Sequence, residues 1–129
     1  MIDATDEAAQ HIDRALAKVE QATGIPDDEV IKAPAFYERQ EGGLVSDVPA
    51  TVNGVPLKSG EFAAPGAHGP LINGDDAFEA AIGQRFADHG VHVQWVEDWY
   101  YAHLLDGEVH CTSNVLRDPS GAAPWWSAS

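Results

Sequence analysis

A single cysteine, Cys111, stands in this sequence, so no internal disulfide can form. A zinc site built on two or more cysteines is excluded by count, and nothing demands an oxidising compartment. Basic residues are scarce: 7 Lys and Arg stand against 21 Asp and Glu, a net charge of −14. Phosphate recognition needs clustered Lys and Arg, so neither nucleic acid nor an anionic membrane surface is expected as a partner. An acidic field attracts cationic ligands over a range that salt screens, although a well-solvated surface is the plainer account. No apolar run approaches the roughly 20 residues of a membrane-spanning helix. The opening Met-Ile-Asp-Ala-Thr-Asp-Glu lacks the basic and apolar regions of a signal peptide, so a soluble, cytoplasmic protein is expected.

What is present fits one globular domain. Hydrophobic residues make up 44% of the chain and charged residues 22%, the balance of an ordinary packed protein. Ile12, Leu16 and Val19, flanked by Ala8, Ala9 and Ala15, predict a helix from about residue 4 to 23. Gly24 suits the position just past its end, with Pro26 beyond. Val30 and Ile31 predict a short strand ending near Pro34, and the charged, Gly-containing stretch 38–49 predicts a loop. Asn53-Gly54 is a hairpin-turn signal, and Pro56 restricts the following arm to an edge or irregular position. The Gly and Pro residues between 59 and 70 predict a long loop.

A second helix is capped by Asp75 or Asp76, carries the stripe Phe78, Ala81, Ile82 and Phe86, and stops at Gly90. Val91, Val93 and Trp95 alternate with His92 and Gln94 as in a strand. The aromatic run Trp99-Tyr100-Tyr101, a turn at Asp106-Gly107 and a last strand over 114–117 complete the pattern. Trp95 and Phe86 read as core residues. Trp99, Tyr100 and Tyr101 read as packing residues first and channel-lining residues second. The order predicts an α/β or α+β class with a small sheet whose two edges are open, a form suited to packing against neighbours.

Chemistry points first to Cys111. A thiolate is a strong nucleophile once its pKa is lowered, yet a lone cysteine is commonly a small buried hydrophobe. Its neighbours Asp106-Gly107-Glu108 and Thr112-Ser113-Asn114 are polar, which predicts an accessible thiol. Neighbouring residues of an extended chain point to opposite sides, which discounts His110 as its direct base. His103 and His110 can tune the thiol, with a hydrogen-bonded neighbour's role the plainer reading. Asp98, Glu97 and Glu108 are candidates to hold a cation, Glu97 and Glu108 being expected to face solvent.

The string Gly107-Glu108-Val109-His110-Cys111, with Asn114-Val115, Arg117, Pro119 and Trp125-Trp126 after it, resembles the C-terminus of the calcium-dependent protein-arginine deiminases. Leu71-Ile72-Asn73-Gly74 is similar to the family's Val-Ile-Asn-Gly before the second helix. Ile12-Asp13, Gly24-Ile25-Pro26 and the run Ile31 to Phe36 resemble its run-in more weakly. The resemblance implies the last one to two ββαβ-type modules of a five-module α/β propeller in the guanidino-group-modifying superfamily. Residues 1–129 would be the C-terminal part of the catalytic domain, about 1–50 ending one module and 51–129 forming the last, with the nucleophile loop. Neighbouring modules would then cover the open sheet edges.

The implied reaction converts peptidyl-arginine to peptidyl-citrulline and ammonia, with Cys111 as nucleophile and a thiouronium intermediate. A planar guanidinium needs carboxylates that grip it in bidentate fashion, and a histidine must handle protons. The family's Asp and His-x-Asp motifs have no counterpart in the sequence. His11-Ile12-Asp13 carries the letters, but residues two apart on a helix diverge by about 200°. Calcium is expected for the full-length family, with no ligand carried over to this chain.

Thr112 stands where the family usually has Gly, Leu105 where vertebrate members place an Arg against the substrate backbone, and Asp106 and Leu116 replace basic residues. The expected partners are an arginine-containing peptide or protein, the upstream catalytic modules and, for the chain alone, a second copy of itself. The alternative is a non-catalytic binding or regulatory module derived from a deiminase C-terminus.

Overall fold

A computed structural model describes residues 2–58 and 60–116. The first helix, α1 (Ile2–Thr23), ends as the sequence predicts, with Gly24 at φ 73° and its N–H on the carbonyl of Glu20 at 2.8 Å. Only Ala4 and Ala8 of α1 are buried, while Ile12 and Val19 stay about half exposed, at 49% and 50%. The Thr5 hydroxyl ties the helix down, accepting the Tyr37 amide at 3.0 Å.

No strand forms at Val30 and Ile31, contrary to expectation. β-Branched residues favour extended backbone, but a strand also needs a partner edge. Here the segment is held by side chains instead: the Arg85 guanidinium donates to the Lys32 carbonyl at 2.8 Å. Ile31 and Ala33 pack on the core from this extended run. The loop expected over 38–49 is largely a hairpin, β1 (Tyr37–Gln40) against β2 (Gly43–Ser46). A two-stranded ribbon buries neither face fully, so its residues lack the apolar alternation that marks a strand in sequence.

The central sheet has the order β3 (Val55–Lys58), β4 (Glu61–Pro65), β7 (His92–Val96), with β3–β4 antiparallel and β4–β7 parallel. Pro56 does lie on an edge strand, paired with Phe62 beside an irregularity in the register. The long loop expected over 59–70 is corrected by β4. This strand is central, and its buried part is Ala63, Ala64 and Pro65 rather than β-branched residues. Small residues let the crossover helix approach, and they are also what makes the stretch read as a loop.

The two Asn-Gly pairs exchange roles. Asn53-Gly54 does not join two paired arms; it precedes β3, and a side chain at Gly54 would sit 2.7 Å from the Phe62 ring. Gly54 is a close-approach glycine. The two-residue hairpin lies at Asn73-Gly74, between β5 (Leu71–Ile72) and β6 (Asp75–Asp76), with φ of 55° and 96°. Two consecutive positive φ values are what such a tight turn demands.

Helix α2 (Ala77–Asp88) crosses from β4 to β7. Asp76 caps it, accepting from the amides of Phe78 at 2.8 Å and Glu79 at 2.9 Å, and it also holds the Gly69 amide at 2.6 Å. Ile82 and Phe86 then face the sheet and, with Ala64, Ala67 and Val93, make the core; Trp95 packs on its margin. The Phe62 and Phe86 rings stack at 5.4 Å. After β7 the chain makes a 3-10 turn at His103–Leu105 and reverses at Asp106, whose φ is 60°. One helical turn, α3 (Val109–Thr112), follows.

Asn114–Leu116 lie in no strand, which corrects that expectation for them; Arg117, Pro119, Trp125 and Trp126 fall outside the described residues. The class is mixed α/β with small sheets, as the order of elements predicts. No helix among the described residues is long and apolar enough to cross a membrane.

Candidate functional site

Cys111 sits on α3 with its thiol exposed, as its polar neighbours predict. Its surroundings come from two stretches nearly sixty residues apart. The Asn53 side-chain amide donates to Cys111 Sγ at 3.5 Å, and the Asn53 carbonyl accepts the His110 amide at 3.0 Å. Asn53 thus grips α3 by backbone and side chain together. Its own position is set by a turn, in which its amide donates to the Ala50 carbonyl at 2.8 Å.

This contact shapes the chemistry of the thiol. The Asn53 amide foremost, then backbone N–H groups beginning with that of Glu108, favour the thiolate and pull the Cys111 pKa below its ordinary value. Burial and the Glu108 charge oppose them without prevailing. A thiol so placed is more nucleophilic at neutral pH than a free cysteine, because more of it is thiolate.

Sequence reasoning missed Asn53 as a site residue. Its turn chemistry was visible, but a contact across 58 positions leaves no local signal. His110 and Cys111 lie on a helical turn rather than in extended chain, so they diverge by about 100° instead of opposing one another. His103 is turned away from direct service to the thiol: its Nδ1 lies 3.0 Å from Glu108 Oε1.

Glu108 was expected to face solvent, and the structure corrects this. It is only 5% exposed, and its Oε1 also accepts the Ala50 amide at 3.2 Å. Buried polar groups take fixed partners, and Glu108 takes the 50–53 turn as one of its own. Asp98 is buried beside it, 3% exposed. Glu97 does face solvent, accepting from the Trp99 amide at 3.1 Å and lying 3.2 Å from His68 Nε2. The Ala50 amide and His103 occupy Glu108 Oε1, whereas both Asp98 oxygens and Glu108 Oε2 are buried without a partner.

Trp99 is sandwiched between the rings of His68 and His103, at 4.6 and 4.7 Å, so it packs, whereas Tyr100 and Tyr101 project into solvent. A small pocket of about 230 Å³ is lined by Val45, Ser46, Ala50, Asn53, His103, Asp106 and Glu108, of which Asn53 also touches the thiol. His11 and Asp13 lie on α1, as expected of a chance resemblance to a catalytic pair.

Comparison with known proteins now adds a family. The family model for protein-arginine deiminase matches residues 1–127. The chain belongs to the protein-arginine deiminase family. Among its relatives, protein-arginine deiminase type-3 of Rattus norvegicus is 31% identical over 103 residues, 80% of this chain and 15% of the relative. Protein-arginine deiminase type-1 of Homo sapiens is 29% identical over 105 residues, 81% of the chain and 15% of the relative. The type-4 enzyme of Mus musculus is 28% identical over 121 residues, 89% of the chain and 18% of the relative. The chain therefore spans about 15% of the length of the curated relatives it matches.

Calcium, which the resemblance to this deiminase family implies, takes six to eight oxygen ligands. Among the described residues no group of three or more His, Cys, Asp or Glu could hold a metal ion. The residues described do not fit a calcium site.

Proposed function

We propose that this chain supplies the nucleophile of a protein-arginine deiminase site, with Cys111 attacking the guanidinium carbon of a peptidyl-arginine. The observation that carries this reading is the exposed thiol under the Asn53 amide, in a member of the deiminase family. The thiolate forms a carbon–sulfur bond, ammonia leaves with the carbon–nitrogen electron pair and a proton, and a thiouronium remains on sulfur. Water then adds to the same carbon and the carbon–sulfur bond breaks, which returns the thiolate and releases citrulline.

The acid–base histidine and the guanidinium-gripping carboxylates belong, on this reading, to modules outside this chain. Cys111 would face the centre of a five-module propeller, with residues 1–50 ending one module and 51–129 forming the last. The calcium dependence of the assembled enzyme would rest on those other modules. Its substrate would be an arginine-containing peptide or protein. A non-catalytic docking module would have no use for a cysteine whose ionisation is favoured by a positioned amide, so the geometry supports the catalytic reading over that alternative.

The test has two arms. Alone, the chain releases no detectable citrulline from arginyl peptides. Grafted in place of the matching residues of the type-3 relative, it supports citrulline release that Cys111→Ser abolishes. A graft that keeps its turnover with Cys111→Ser would remove the assignment, and so would iodoacetamide labelling of native Cys111 orders of magnitude slower than in urea.

A further inference from the structure

Three buried carboxylate oxygens behind the cysteine have no N–H or O–H partner: both of Asp98 and Oε2 of Glu108. An unpaired buried carboxylate is costly, and two facing each other are costlier still. The other oxygen of Glu108 is fully engaged, by the Ala50 amide at 3.2 Å and His103 Nδ1 at 3.0 Å. One proton placed between the two acids resolves most of the deficit, since a protonated carboxyl donates as well as accepts.

We propose that Asp98 and Glu108 share one proton and are positioning residues for Cys111, holding the 50–53 turn so that the Asn53 amide stays on Sγ. On this reading the shared proton would join Asp98 to Glu108 Oε2. From there the bonds are those of the structure: Glu108 Oε1 accepts the Ala50 amide at 3.2 Å, the Ala50 carbonyl accepts the Asn53 backbone amide at 2.8 Å, and the Asn53 side chain donates to the thiol at 3.5 Å. The His110 amide on the Asn53 carbonyl closes the loop at 3.0 Å.

Burial first, then the Glu108 charge and the hydrogen bond to Glu108, raise the Asp98 pKa above its ordinary value, while the His103 charge works against this. The other groups around the pair are few. His103 faces it from the 3-10 turn, Asp106 from the pocket rim, and the Cys111 thiol from α3. The 45–53 segment contributes Val45, Ser46, Ala50 and Asn53 to the pocket lining, none of which titrates.

The direction of the linkage follows. A carboxyl whose pKa is raised in the fold makes its full contribution at low pH and loses it as pH rises through that raised value. Beyond that point two buried carboxylates repel, the hold on Ala50 weakens, and Asn53 leaves the sulfur. The low thiol pKa is then lost just where alkaline conditions ought to favour the thiolate.

The inference rests on the reading of Cys111 as nucleophile for its meaning, but its test reads the thiol and the acid directly. The native chain, carrying 13C at its side-chain carboxyls, is titrated by NMR. One aspartate carboxyl is expected to titrate above the ordinary carboxylate range, and its signal is absent from Asp98→Asn. Iodoacetamide labelling of Cys111 is expected to follow a single thiol ionisation at first. It then falls about threefold or more below that curve as the carboxyl loses its proton.

Asp98→Asn keeps a donor to Glu108 Oε2 that does not titrate, so its labelling follows the single curve throughout. An Asp98 that titrates in the ordinary range, or the same alkaline shortfall in Asp98→Asn, would overturn the proposal. Should Asp98→Asn fail to fold, the native titration decides together with Glu108→Gln, in which the high-range titration disappears because an amide N–H replaces the shared proton. An inert graft with a proton-linked thiol would sink the catalytic reading and leave this one standing.

Discussion

The two long helices carry similar patterns and meet different fates. α2 has 12 residues and buries Ile82 and Phe86 against a sheet; α1 has 22 and buries only Ala4 and Ala8. The apolar stripe of α1, through Ile12 and Leu16, instead walls an open groove of about 350 Å³, with Val30–Ala35 and Ala50–Val52 opposite. A 3.6-residue period predicts that a face will be apolar, and says nothing of what will cover it. For α2 the cover comes from β4 and β7 on either side of it in sequence. For α1 no described element closes the groove.

The comparison breaks most easily on paired truncations. Ile82→Ala removes a side chain that is 1% exposed and should cost about 2–5 kcal/mol, read from the urea midpoint. Ile12→Ala, at 49% exposure, should cost less than about 1 kcal/mol. Equal losses would mean that the α1 groove is closed in solution, and sedimentation would then show self-association. A second contrast is smaller. Asp76→Ala unties three amides at the start of α2, from Gly69, Phe78 and Glu79, and should cost about 1–2 kcal/mol. A loss below about 0.3 kcal/mol would say that the cap is replaced by water and that α2 owes its register to packing alone.

The 50–53 turn is the seam between the two regions, and there the expected effect is chemical. Asn53→Ala removes the leading cause of the lowered thiol pKa, so iodoacetamide labelling at neutral pH should slow by several-fold while the unfolding midpoint moves little. Unchanged labelling would mean that the backbone amides alone set the thiol.

The same seam divides what is legible in the sequence from what is not. Both long helices, the strand at His92–Val96 and the edge position of Pro56 follow from local pattern. The β4 strand does not, because a central strand crossed closely by a helix is built from alanines. The β1–β2 ribbon does not, because a two-stranded element leaves no buried face to read. Cys111 stands out in the sequence as the candidate nucleophile, by its chemistry and its resemblance. Its partners Asn53 and Glu108 are not, since one reads as a turn and the other as a solvent-facing acid until the fold brings them together.

The smallest expected effect lies where α2 meets the segment after α1. His89 follows the last residue of α2, with Nδ1 at 2.8 Å from the Arg85 carbonyl and Nε2 at 3.0 Å from the Asp28 carbonyl. A neutral imidazole has one N–H and can satisfy only one of these acceptors; the imidazolium satisfies both. The carbonyl of Arg85 first, then that of Asp28, accordingly raise the His89 pKa above its ordinary value, and the negative end of the helix works in the same direction. The group gains stability in its charged form, so the gain is complete below the unfolded-state pKa and is lost as pH rises through the raised folded value. NMR of the ring protons should show His89 titrating above the ordinary histidine value, and His89→Gln should flatten the corresponding part of the stability–pH curve. Both ring nitrogens are exposed to water competition, so the loss should be slight beside that of Ile82→Ala. A His89 that titrates at the ordinary histidine value would mean that the Asp28 contact is not held in solution, leaving the Arg85–Lys32 bond as a tie between the two regions at this end of α2.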